Sequence, residues 1–191
     1  MLKKLVFAIL AVTLLVIPVA KPAFAFDSLT DWTVIQQDAT MIHDQAVILE
    51  QEAFQLQQNA LLIQQTETDP EVVALAADIV ALAAQIEQDA AAIAVTADDI
   101  NYRIDQSEDT TLQLSQDIGT MADRIGEMAD RILWTEGQIG IMADRIVTSE
   151  FLISDSTLAL VATIQQSNEA MTSQTTSIQL LNADILSELA F

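Results

Sequence analysis

A large aliphatic residue returns at every seventh position through most of this chain, with alanine four residues behind it. Between 35 and 63 the large residues are Ile35, Ile42, Leu49, Leu56 and Ile63, and Ala39, Ala46, Ala53 and Ala60 follow the first four. Between 72 and 104 they are Val72, Ile79, Ile86, Ile93 and Ile100, with Ala76, Ala83, Ala90 and Ala97 behind them and Ile104 closing the series. From 118 to 146 the repeat becomes nearly literal: IGTMADR, IGEMADR, ILWTEGQ and IGIMADR, then Ile146. Alternating steps of four and three residues keep side chains on one face only in an α-helix. Sustained over several heptads, they form a coiled-coil seam. The alanine column brings neighbouring helices towards the lower end of the usual spacing of about 8–10 Å.

Interruptions divide the pattern. Thr66-Glu67-Thr68-Asp69-Pro70-Glu71 ends one helix and starts another, with Asp69 as N-cap and Pro70 in the first turn. Ser107-Glu108-Asp109-Thr110 is a weaker break, lacking both Gly and Pro, and the Ile–Ala pairing stops again between Thr148 and Thr157. Beyond it, Leu160, Ile164, Met171, Ile178 and Ile185 predict a looser seam, with Ser167 and Gln174 where apolar residues belong. The spacing predicts helices over about 28–66, 70–106, 110–150 and 156–189, with no strands. The expected fold is all-α: an elongated antiparallel bundle of about four long helices in one domain, 26–191. The competing arrangement fuses the last two helices.

The first 25 residues predict a secretory signal peptide. Lys3 and Lys4 precede an apolar run from Leu5 to Ile17, and Ala23-Phe24-Ala25 supplies small residues at a cleavage site. The run is shorter than the roughly 20 residues needed to span a bilayer. The expected location is therefore the bacterial periplasm or the cell exterior. Cleavage also alters the charge. The whole chain carries 28 acids against 7 basic residues, a net charge of −21. Without Lys3, Lys4 and Lys21 only Arg103, Arg124, Arg131 and Arg145 remain, and the net charge falls to about −24. Such a chain lacks the clustered Lys and Arg that nucleic-acid phosphates require.

Several chemistries lack their residues. There is no Cys, hence no disulfide and no thiolate ligand or nucleophile, and the mature chain has no lysine for Schiff-base chemistry. His43 is the only imidazole, so a zinc site with several His ligands and a di-iron site with two Glu-x-x-His units are both excluded. On the polar side of its helix, His43 reads as a solvated residue. Asp105-x-Ser107-x-Asp109 starts like a calcium loop but has Thr110 and Gln116 where Gly and Glu are required. Glu67, Asp69, Glu71, Glu150 and Asp155 gather acids at one predicted bundle end. These patterns assign no catalytic, cofactor-binding or metal-ligating residue, and the chain reads as a non-enzyme.

The remaining candidates concern contact. Arg124, Arg131 and Arg145 share one heptad position and form a basic line, expected to pair with acids or to meet an anionic partner. Met121, Met128 and Met142 share another position and read as core. Trp134 and Ile141 fall in the column that holds Thr120 and Glu127 in the earlier repeats, facing away from the Ile seam. They are expected to meet either a further helix of the bundle or a protein partner. All four glycines, Gly119, Gly126, Gly137 and Gly140, lie inside this helix, where each costs about 1 kcal/mol relative to Ala. Gly119, Gly126 and Gly140 each follow an Ile directly, and a close helix contact on that side, beside the Ala column, is the expected reason, with a built-in weak point as the alternative.

The leading expectation is an exported structural or protein-interaction module, acting on an unknown partner or by self-association. The alternative is a membrane-active helical protein that inserts Val72–Val95, opposed by Asp78, Glu87 and Asp89 within that stretch. A binder of cations or small apolar ligands is the third expectation.

Overall fold

The structure is a computed structural model, described for residues 31–107, 112–149 and 153–190. The signal peptide at 1–25 lies outside these residues, as do Asp109 and Thr110 of the calcium-like loop and Glu150. Four helices account for almost all of the described chain: α1 (Trp32–Thr66), α2 (Pro70–Gln106), α3 (Leu112–Thr148) and α4 (Asp155–Leu189). At about 1.5 Å per residue each is roughly 55 Å long. No strand occurs among the described residues.

Local chemistry starts three of them. The Asp31 carboxylate accepts from the backbone N–H groups of Thr33 and Val34, and Asp69 does the same for Glu71 and Val72 at 2.9 and 3.2 Å. Pro70 begins α2, where its missing N–H would have had no helical partner anyway. The Ser154 hydroxyl caps α4 through the Thr157 N–H at 3.1 Å. Each such cap satisfies donors that a helix start otherwise leaves orphaned.

The helices pack in a ring, α1 on α2, α2 on α3, α3 on α4 and α4 back on α1, while the diagonal pairs do not meet. Their directions alternate. Gln36 near the start of α1 bonds Asp105 near the end of α2, Arg145 near the end of α3 reaches Glu71 at the start of α2, and Glu67 after α1 meets Ser154 before α4. Because α3 and α4 lie side by side, they are two helices rather than one fused rod.

The Ile and Ala columns of α1, α2 and α3 are buried almost without exception. Each fully buried Ile removes apolar surface worth about 1.5–3 kcal/mol from water. Helix α4 differs from the sequence expectation. Its large column is Ile164, Met171, Ile178 and Ile185, but Leu160 is only partly buried. The second column is Val161, Asn168, Thr175, Asn182 and Leu189, so the polar intruders are Asn168, Thr175 and Asn182 rather than Ser167 and Gln174. The seam steps from 157 to 161 to 164, one residue later than a register anchored on Leu160 allows.

Candidate functional site

Helix α3 carries the residues singled out from the sequence, and the ring places them on its outer side. Trp134 is 62% exposed and Ile141 55% exposed. No further helix covers them among the described residues, so the expectation of an intramolecular contact is corrected. The reason is geometric: their column lies opposite the Ile–Ala seam, and a ring of four leaves nothing outside α3. Gly137 lies between them, three residues after Trp134 and four before Ile141, and a Cβ built there meets nothing within 4 Å. The result is two exposed apolar side chains on one face of α3 with a bare glycine between them.

The Asp-Arg pairs of the repeat straddle this face. On one side Arg131 donates to the Asp89 carboxylate of α2 at 2.8 and 3.3 Å, and Arg145 reaches Glu71 at 3.4 Å. On the other side Asp130 accepts from Gln179 and Asp144 from Gln165, both of α4, at 2.7 and 2.8 Å. The Asp130-Arg131 and Asp144-Arg145 dipeptides thus clamp α3 to both neighbours, whereas Asp123-Arg124 does not. Arg124 makes no ion pair among the described residues; the remaining arginine, Arg103, holds Asp117 at 2.9 Å. Met128 is buried, and Met121 and Met142 pack against the core.

His43 is not simply solvated. Its Nδ1 lies 3.0 Å from Asp98 and 3.4 Å from the Ala94 carbonyl, with the side chain 33% exposed. Its column forms the flank of α1 that packs on α2, which brings the ring under partial cover. The acids expected to gather at one bundle end are engaged separately. The Glu67 carboxylate accepts from the hydroxyls of Ser154 and Thr157, and the Thr157 bond above all holds its pKa below the ordinary value. Asp69 caps α2, and Glu71 faces Arg145. No group of three or more metal-ligating side chains occurs among the described residues. No described helix is long and apolar enough to cross a membrane. A shallow groove of about 460 Å³, lined by Asp99, Tyr102, Arg103, Gln106, Ser107 and Leu114, lies between α2 and α3.

One internal site went unnoticed in the sequence. Glu136 occupies the column that holds Ala122, Ala129 and Ala143, and it is 1% exposed. Its Oε1 lies 2.8 Å from the Thr175 hydroxyl of α4, while its Oε2 has no hydrogen-bond partner. Asn168 donates to the Glu136 carbonyl at 3.1 Å. Burial raises the Glu136 pKa to about 7, opposed by the hydroxyls of Thr175 and Thr172. The signal was present in the sequence: ILWTEGQ departs from I-G-x-M-A-D-R at every fixed position after its Ile, and Glu136 is the departure at the fifth.

Neither a protein-family model, nor a curated protein, nor a solved structure matches this chain.

Proposed function

We propose that the protein is an exported, non-enzymatic helical bundle, with coiled-coil-like seams, that serves as an interaction module of the bacterial envelope or cell exterior. The observation that carries this reading is the patch of Trp134, Gly137 and Ile141 on α3. Aromatic residues dominate protein contacts where they can be fully covered, and arginines frequently accompany them. The partner fitting this face is a protein that seats an apolar side chain over Gly137, between Trp134 and Ile141. Export is supported by the pattern of the first 25 residues, and a structural role by a core built almost wholly from Ile and Ala columns.

The test is capture of the partner, cross-linked through carboxyl groups because the mature chain lacks lysine, with Trp134→Ala/Ile141→Ala as comparison. The double variant is expected to lose partner binding more than tenfold while its unfolding free energy stays within about 1 kcal/mol of the parent, as for surface changes. Undiminished capture by the folded variant overturns the assignment of this face. Association with vesicles that depends on the same two residues would replace the protein partner by lipid. A change in sedimentation mass would identify the partner as a second copy.

A further inference from the structure

The α4 seam differs from the others in how its buried polar atoms are satisfied. Among the described residues, eight buried side-chain oxygens have no partner. Asn168 Oδ1, Gln174 Oε1 and Asn182 Oδ1 belong to α4 itself. Glu136 Oε2 and Glu52 Oε2 belong to residues bonded to α4, through Thr175 and Gln174. Asp38 Oδ2 belongs to a carboxyl whose pKa is raised by burial first and then by Asp184 and Glu188 of α4. Thus most of the unsatisfied buried groups lie along one helix, and each weakens its attachment.

Glu136 is the centre of this seam. The Thr175 hydroxyl lies 2.8 Å from Glu136 Oε1 and 3.0 Å from the Met171 carbonyl, yet has one hydrogen to donate. A protonated Glu136 resolves the conflict, because its O–H donates to Thr175 while Thr175 donates to Met171. An ionised Glu136 takes the hydrogen, leaves that bond to Met171 unmade and buries a charge whose second oxygen makes no hydrogen bond in the structure. We propose that Glu136 is a proton-operated latch on α4: protonated, it closes the α3–α4 seam, and ionised, it releases α4 from α3 and opens the Ile–Ala groove beneath.

The surrounding charges leave this control to Glu136. On α2, Asp89 is neutralised by Arg131, Asp78 is exposed and Glu87 is only half-buried. On α4, Glu169 is exposed. On α1, Glu52 is bonded to Gln174 on the opposite flank of α4. The shifted pKa fixes the sign. Folding holds the proton more tightly than the unfolded chain, from an ordinary 4.5 to about 7. The closed seam is therefore fully stabilised below about pH 4.5 and loses that stabilisation as the pH rises through about 7.

Native-state hydrogen exchange on the intact chain at pH 5 and pH 8, corrected for intrinsic rates, tests the proposal. Opening of α4 is expected to increase by more than about tenfold between the two pH values, well beyond that of α1 and α2. Glu136→Gln, which keeps the shape without ionising, is expected to abolish this excess. An equal rise in all four helices would assign the effect to general acid repulsion and overturn the latch. So would an α4 response that persists in Glu136→Gln, or its absence from the parent protein. The last outcome needs no variant to fold.

Discussion

Two glycines of α3 have a neighbour and two have none. A Cβ at Gly126 would stand 3.3 Å from Asn182 Nδ2 and one at Gly140 3.6 Å from Asn168 Nδ2, so these positions accommodate the amides of α4. Gly119 and Gly137 face open space, which corrects the expectation of a close helix contact for Gly119 although it too follows an Ile. Nothing in the structure requires a glycine at 119. Gly137→Ala should recover helix propensity without a clash, stabilising the fold by about 0.5–1 kcal/mol. In a domain of this size that is a rise of roughly 1–4 °C in Tm. If the open space over Gly137, between Trp134 and Ile141, receives a partner side chain, the same substitution should weaken binding, and thermal melts beside binding assays separate the two effects.

Helices α1 and α2 were legible from sequence because one regularity, Ile then Ala, decides both period and buried face. Asp69 and Pro70 also mark the start of α2 without reference to tertiary structure, through a side chain that caps and a ring that pre-sets φ. Helix α4 was harder to read because its second column is Asn168, Thr175 and Asn182, residues that look exposed until α3 is placed beside them. Glu136 was missed for the same reason: a carboxylate ordinarily marks a solvated position. The α3–α4 seam therefore makes a prediction at its own scale. Gly126→Ala alone crowds Asn182, and Asn182→Ala alone leaves space beside Gly126. Together they restore the methyl packing found between α1 and α2 and remove the unsatisfied Asn182 oxygen. The double variant should exceed the sum of the single effects by about 0.5 kcal/mol or more, measured as a double-mutant cycle in denaturant.

At the scale of the whole molecule, charge and core oppose each other. The four arginines outside the first 25 residues all lie on α2 and α3, and Arg103, Arg131 and Arg145 pair across that interface. Helices α1 and α4 carry acids and no Lys or Arg, and they meet along an edge that brings Asp38 towards Asp184 and Glu188. Repulsion is thus concentrated on the α1–α4 side and relieved on the α2–α3 side. Salt screens both, over a Debye length of about 10 Å at 0.1 M and 3 Å at 1 M. Surface pairs such as Arg145–Glu71 contribute about 0–1 kcal/mol each, so screening them loses little. Long-range repulsion among the acids is summed over the molecule, and screening it gains more. Raising NaCl from 10 mM to 0.5 M at pH 8 should therefore shift the urea midpoint upward, although ion pairs are weakened in the same step. The gain should appear most strongly in exchange protection along the α1–α4 edge. Equal concentrations of NaCl and KCl should act alike, since screening depends on ionic strength rather than on the cation; a salt-induced loss of stability would show that the arginine pairs outweigh the acid repulsion.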